Sequence, residues 1–222
     1  MNILIFGATG MVGQGVLLEC LRDPTVQLVQ TIGRTPIPTT HSQHRDIVHK
    51  DLHDFTALDA QLTGFDACFF CLGVSSVGMT ERDYESVTYG ITLAAAQPLA
   101  RLNPEMTFIY VSGAGTDSSE RGRVMWARVK GRTENTLLRL PFKSAYMFRP
   151  GVIQPVRGVI SKTASYRLLY SLTNPILPLL RRTFPNYILT TEEIGRAMLT
   201  VARHGAPKQI LETHDIRAVL QS

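Results

Sequence analysis

Three glycines near the amino terminus, Gly7, Gly10 and Gly13, have the spacing that brings a peptide backbone against an anionic ligand. The run Gly7-Ala-Thr-Gly10-Met-Val-Gly13 follows a short apolar stretch and opens a helical pattern, the context a dinucleotide-binding turn requires. In such a turn Gly7 permits the tight bend, Gly10 lets the main chain approach a pyrophosphate, and Gly13 lets helix pack closely on strand. Thr9 lies in the turn itself. The helix start at Met11 and Val12 offers free N–H groups and a positive dipole end. A turn with a purely structural role is the alternative for the same residues.

The residues after the second apolar stretch separate the two nicotinamide dinucleotides. An NAD site places Asp or Glu there to hold the ribose hydroxyls. This chain has Gly33-Arg34-Thr35, and no acidic residue between Asp23 and Asp46. A guanidinium at position 34 suits the 2′-phosphate of NADP(H), which is favoured over NAD(H); a solvated loop charge is the other reading of Arg34. Asp51 and Leu52 follow the third strand and are placed to touch an adenine, though a simple loop aspartate explains Asp51 as well.

The elements that must position these groups alternate between short apolar runs and helical patterns. Strands are expected at Asn2–Phe6, Gln27–Ile32, Asp46–His49, Ala67–Leu72, Thr107–Ser112 and Ala145–Arg149, with helices around Val12–Arg22, Thr80–Leu102 and Arg123–Leu140. Near-continuous apolar strands indicate a sheet covered on both faces, so the fold class is α/β, a doubly wound parallel Rossmann sheet. Its ligand site belongs at the carboxyl ends of the strands. Residues 1–151 read as the dinucleotide-binding core, and 152–222 as a small C-terminal lid or substrate lobe completing the same domain. Within that lobe Thr190-Thr-Glu-Glu193 reads as a capping box opening a helix through Arg203, followed by a late strand at Gln209–Glu212 and a short terminal helix.

Composition narrows the function classes. The chain has 222 residues, 44% hydrophobic and 18% charged, which suits a globular domain with a real core. No apolar run is long enough for a membrane span. The net charge of +5 equals the five basic residues between Val152 and Thr191, a segment without acidic residues. A local basic patch accompanied by no nucleic-acid motif fits an anionic ligand or a partner surface, so no nucleic acid is expected. Cys20, Cys68 and Cys71, with no leader-like start, suggest a reducing, cytoplasmic setting. Cys68 and Cys71 are three apart in an apolar strand and face opposite sides of it, so they read as buried small side chains. His41, His44, His49 and His53 lack a carboxylate at ligand spacing, and no metal is expected.

The motifs Gly-Ala-Thr-Gly-x-x-Gly, Gly33-Arg34, Asp51-Leu52, Cys71-Leu72-Gly73, Val111-Ser112, Val129-Lys130-Gly131 and Phe148-Arg-Pro-Gly151 occur together and in order. In this the chain resembles an atypical short-chain dehydrogenase/reductase, close to the NmrA-like and Tat-interacting-protein oxidoreductase groups and to NAD-dependent epimerase/dehydratase relatives. The resemblance covers most of residues 1–151 and fades beyond. It implies that Cys71, Leu72 and Gly73 pass the adenosine ribose or pyrophosphate, and that Ser112 sits at or beside the catalytic serine. It also implies that Lys130 holds the nicotinamide ribose, and that Pro150 and Gly151 form the turn along the nicotinamide.

One departure bears on activity. The family pattern is Tyr-x-x-x-Lys, with a phenol one helical turn before the lysine to shuttle a proton. Here that position is Trp126, whose indole N–H donates a hydrogen bond but does not ionise near neutral pH. Tyr84, Tyr89 and Tyr110 are candidates to replace the phenol, and hydride transfer with water or the substrate supplying the proton is the alternative. Two functional readings follow. One is NADP(H)-dependent oxidoreductase or epimerase-like chemistry on a small, partly apolar substrate, with Arg157–Tyr187 as lid. The other is a catalytically silent NADP(H)-binding sensor that acts through a protein partner. A homodimer is compatible with both.

Overall fold

The computed structural model describes residues 1–159 and 187–221. Apart from its ends, the lid expected at Arg157–Tyr187 lies outside the described residues. Seven parallel strands form the central sheet: β1 (Asn2–Phe6), β2 (Leu28–Gly33), β3 (His44–Val48), β4 (Ala67–Phe70), β5 (Thr107–Val111), β6 (Ser144–Arg149) and, late in the chain, β9 (Ile210–Glu212). Their spatial order is β3-β2-β1-β4-β5-β6-β9, so the chain winds outward from β1 to one side and then returns to build the other. That reversal between β1 and β4 is a topological switch point, where a crevice opens at the strands' carboxyl ends. The doubly wound parallel α/β sheet expected from the sequence is the observed architecture.

Alternate side chains of each strand enter opposite cores, as the two-residue period demands. Ile3, Ile5, Phe69 and Phe148 face α1 (Met11–Arg22) and α5 (Thr191–His204). Leu4, Phe6, Cys68, Phe70 and Phe108 face α3 (Ile91–Leu102) on the other side. Here an aromatic row crosses the sheet, with Phe6 and Phe70 stacked at 5.2 Å and Phe70 and Phe108 at 6.0 Å. Cys71 packs with the first core and Cys68 with the second, the opposed placement their spacing implied.

Two elements differ in detail from the sequence pattern. β3 begins at His44, pairing Val29 with His44 and Gly33 with Val48, earlier than its apolar residues suggest. It is an edge strand, and an edge needs no apolar run to pair on one side. The long helix expected at Thr80–Leu102 is three pieces: α2 (Glu81–Glu85), a π-turn at Ser86–Gly90, and α3. A π-turn inserts one extra residue per turn without breaking the axis, so a periodicity count runs through it. The capping box at Thr190 and Glu193 is present and opens α5. A second, two-stranded parallel sheet joins β7 (Val152–Gln154) to β8 (Ile188–Thr190), and α6 (Thr213–Ala218) follows β9.

Candidate functional site

A cleft of about 650 Å³ lies at the switch point. Its floor is the glycine turn. Gly7 has φ +79°, and a Cβ there would come within 2.6 Å of the Leu72 amide nitrogen, so only glycine fits where β1 leaves the sheet beside β4. At Gly13 a Cβ would overlap the Gly7 carbonyl, the close helix–strand approach expected of the third glycine. Gly10 is different: only the Gly7 carbonyl oxygen, at 3.3 Å, would lie near its Cβ.

Helix α1 starts at this floor with neither a side-chain cap nor an acidic residue in its first turn. The first amides of a helix have no intrahelical carbonyl, so the amides at Met11 and Val12 present unneutralised dipole to the cleft. Gly73, on the facing wall, has none of the described residues beyond its chain neighbours within 4 Å of where a Cβ would stand. An uncapped helix start and bare glycines on both walls form a cradle that fits a dinucleotide pyrophosphate.

The cleft collects most of the residues singled out from sequence. Gly7, Thr9, Gly10, Met11, Val12, Arg34, Leu52, Cys71, Leu72, Gly73, Ser112 and Lys130 all line it. Gly13 supports the turn from behind. Asp51 does not line the cleft; its carboxylate accepts the His53 amide at 2.9 Å and shapes the loop. Pro150 and Gly151 are also outside the lining. The Pro150 carbonyl accepts the Ala114 amide at 3.0 Å, and the Gly151 amide donates to the Thr213 hydroxyl at 2.8 Å. That turn therefore fixes the loop after β5, and Ile153 just beyond it reaches the cleft.

Asp46 lines the cleft and had no site role in the sequence reading. Its carboxylate lies on β3 beside Thr31 of β2, and each oxygen accepts one hydrogen bond from the protein. One accepts the Thr31 hydroxyl at 2.6 Å and the other the Ile37 amide at 2.8 Å. Arg34 is exposed at the cleft's end, its carbonyl held by the Lys50 ammonium at 3.0 Å. Among the described residues its guanidinium has no acidic partner.

The opposite end holds Ser112 and Lys130. The Ser112 amide donates to the Phe148 carbonyl at 2.7 Å, extending the β5–β6 ladder by one residue. Its hydroxyl lies 3.0 Å from that of Thr116, which itself donates to the Gly113 carbonyl at 2.8 Å. Thr116 has one proton and spends it on Gly113, so Ser112 is the donor of the pair. Lys130 projects from α4 (Met125–Leu137) with its ammonium 5.4 Å from the centre of the Tyr110 ring. Loss of water pulls it down to about 8, against the opposing pull of Glu134.

None of the three tyrosines considered as replacement acids lines the cleft. Tyr84 and Tyr110 are buried, and burial pushes both phenols up. Tyr89 packs under the Arg132 guanidinium at 4.8 Å. Trp126 also stays out of the lining and lies against Gly115, whose φ is +84°.

The Val-Lys-Gly segment has a packing reason that sequence could not supply. A Cβ at Gly131 would overlap the Asp117 carbonyl, because the loop after β5 is pressed onto α4. Asp117 knots that loop by accepting the amides of Ser119 at 3.0 Å and Gly122 at 2.6 Å. Gly131→Ala is expected to destabilise the protein by about 1–3 kcal/mol or more, the range for overpacking a tight contact, read as a lower urea midpoint at unchanged slope.

Comparison with known proteins gives the same class. No family model matches the chain. The chain is 29% identical over 143 residues to Leucinostatins biosynthesis cluster protein T of Purpureocillium lilacinum, covering 63% of this chain and 52% of that protein. It is 29% identical over 155 residues to Protein HTATIP2 of Rattus norvegicus, covering 68% and 62%. To Protein FMP52-2, mitochondrial, of Scheffersomyces stipitis it is 25% identical over 153 residues, covering 67% and 65%. The match thus spans from about half to just under two thirds of each of these relatives' lengths.

Among solved structures, Helicobacter pylori ADP-L-glycero-D-manno-heptose-6-epimerase superposes with a TM-score of 0.67 at 17% identity, covering 99% of this chain and 81% of that one. Bordetella bronchiseptica WbmF, solved in complex with NAD+, gives 0.67 at 13%, covering 99% and 77%. The fold is the Rossmann fold that these two structures share. Within it the chain resembles the group that includes HTATIP2 and the FMP52 proteins, as its motifs implied.

The cytoplasmic location inferred from the cysteines is corrected by these relatives, several of which are named mitochondrial. Free thiols report a reducing setting and do not distinguish one reducing compartment from another. Among the described residues no helix is long and apolar enough to cross a membrane.

Proposed function

We propose that the switch-point cleft binds NADP(H) and that the protein carries out oxidoreductase or epimerase-like chemistry on a small, partly apolar substrate. The observation that carries this reading is that one groove joins the uncapped glycine turn, Ser112, Lys130 and an Arg34 with no acidic partner among the described residues. The turn and the first amides of α1 would hold the pyrophosphate, and Leu52 and Cys71–Gly73 would flank the adenosine. Arg34 would clamp the 2′-phosphate, and Lys130 would hold the nicotinamide ribose. The cofactor would supply or accept a hydride. Ser112, whose hydroxyl can turn from Thr116, would orient a substrate oxygen. Arg34 at the end of β2, where an NAD site would place an acid, supports NADP(H) over NAD(H).

Titration with NADPH and NADH, followed by Trp126 fluorescence, tests the reading. The chain has one tryptophan, so energy transfer to a bound nicotinamide reports from a single place. Selective quenching by NADPH is expected; absence of binding by either dinucleotide would remove the proposal. Arg34→Ala should weaken NADPH by roughly ten- to a hundredfold, the scale of one charge-assisted pair, and leave NADH nearly unchanged. Equal losses for both would reject the phosphate clamp.

A second reading is favoured by Trp126 and by the lack of a tyrosine among the described lining residues. In it the protein binds NADP(H) without turnover and signals the cofactor's redox state to a protein partner. Partner affinity that differs between the NADPH- and NADP+-loaded forms, with no turnover, would select it.

A further inference from the structure

Carbonyl reduction needs a proton as well as a hydride, and the described part of the cleft holds few groups able to give one. Of its titratable lining residues, Arg34 and Asp46 stand at the β2–β3 end. Burial pushes the Cys71 thiol up, away from any useful range. The Ser112 hydroxyl, on Thr116 in the free site, can turn to orient an oxygen but, as an alcohol, does not ionise near neutral pH. Lys130 remains, and its position is specific. Its ammonium sits over the ring of Tyr110. Residues 110 and 112 lie on the same side of an extended strand, so the ammonium and the Ser112 hydroxyl share one face of the sheet.

We propose, on the reading that the cleft binds NADP(H), that Lys130 is itself the proton donor of this site, in place of the family's tyrosine. As the substrate carbon accepts hydride from a reduced nicotinamide, the C=O π pair moves onto oxygen. That oxygen takes a proton from Lys130 Nζ. Lys130 is left as a neutral amine, which solvent reprotonates, and the products are an alcohol and the oxidised dinucleotide.

The surroundings are set for this. A lysine locked in an ion pair would hold its proton, and the nearest carboxylate, Glu134, is instead gripped by Arg149 of β6 through Nε at 3.0 and 3.1 Å and through Nη2. The other α4 cations face outward, Arg128 to Glu81 at 2.7 Å and Arg132 to Glu85 at 2.5 Å. Tyr110 and Tyr84 beneath remain neutral, because burial raises both phenols. An ammonium drawn down to about 8 by burial gives up its proton far more readily than an ordinary lysine.

The test uses the full chain with NADPH, and 4-nitrobenzaldehyde and 9,10-phenanthrenequinone as carbonyl probes. NADPH affinity is first measured by Trp126 fluorescence for the wild type, Lys130→Met and Lys130→Arg. Affinities within about tenfold of one another are expected, the scale of one hydrogen bond. Wild-type kcat should hold steady up to about pH 8 and fall above it. Lys130→Met should lose about 100-fold or more and show no such fall. Lys130→Arg should lose as much despite keeping the charge, since a guanidinium does not release its proton. Independently of turnover, the lysine ammonium signal absent from Lys130→Met in 15N NMR spectra should titrate near pH 8.

A Lys130→Met profile matching the wild type, or an ordinary lysine midpoint, would overturn the proposal. So would a wild type that binds NADPH and reduces neither probe. Failure of all three forms to bind NADPH would instead strike the cofactor reading, and the apo protein's lysine titration would still be on hand to separate the two.

Discussion

Gly10→Leu is expected to abolish NADPH binding while leaving the fold in place. The glycines of the turn differ in what constrains them, and that difference makes the experiment clean. Gly7 is held by backbone conformation and by the Leu72 amide, and Gly13 by the Gly7 carbonyl, so substitutions there disturb the protein itself. Beyond the Gly7 carbonyl, Gly10 faces nothing within reach of a Cβ, and it lines the cleft. A leucine there would cost only about 1 kcal/mol through the poorer helix cap, yet it would occupy the space a pyrophosphate needs. The checks are fluorescence titration for binding and thermal unfolding for the fold. Retained NADPH affinity in a folded Gly10→Leu protein would mean that the dinucleotide, if bound, lies elsewhere.

Glu134→Ala should cost about 3–5 kcal/mol of stability, the range for removing one partner of a buried ion pair. Glu134 is fully buried and receives the Arg149 guanidinium on both carboxylate oxygens. The same guanidinium donates to the Ser118 hydroxyl at 2.6 Å and approaches Glu212 of β9 at 3.3 Å. One arginine thus ties α4, the loop after β5, β6 and β9 together. Removing Glu134 leaves the Arg149 charge in the interior with Glu212 at 3.3 Å and the Ser118 hydroxyl as its remaining partners. Glu134→Gln, which keeps an acceptor, should lose less, and Glu134→Ala paired with Arg149→Met should recover part of the loss. Urea unfolding of the wild type, Glu134→Ala, Arg149→Met and the double variant measures the coupling; additive losses would show the pair to be independent.

The fold was legible because its signals are local and repeated. Each of the strands β1, β2, β4, β5 and β6 carries its own apolar run, and the glycine turn marks where β1 ends. The cleft's two walls were legible for the same reason, since residues at strand ends, such as Cys71–Gly73 and Ser112, reach the switch point once the strand order is set. What stayed hidden depends on partners far apart in sequence. Asp46 reads as an ordinary strand residue until its oxygens are found on Thr31 and Ile37. Nothing local marks Glu134 as buried, because its partner lies fifteen residues on, in another element. Gly131 reads as a weak spot in a helix until the Asp117 carbonyl is placed against it. Asp51, by contrast, has a polar side chain at a plausible position, but two residues of local turn geometry claim it.

The packing of α5 against α1 bears on the order in which the protein can acquire its shape during synthesis. Thr191 lies against Gly15, Gly195 lies against Glu19 and Val16, and Arg203 pairs with Asp23 at 2.5 Å. β9 then closes the sheet beside β6. The helix that follows the glycine turn is therefore covered by residues made nearly two hundred positions later. A ribosome-bound chain with only its first half exposed would carry Val16 and Cys20 uncovered, a surface open to chaperones and to misassociation.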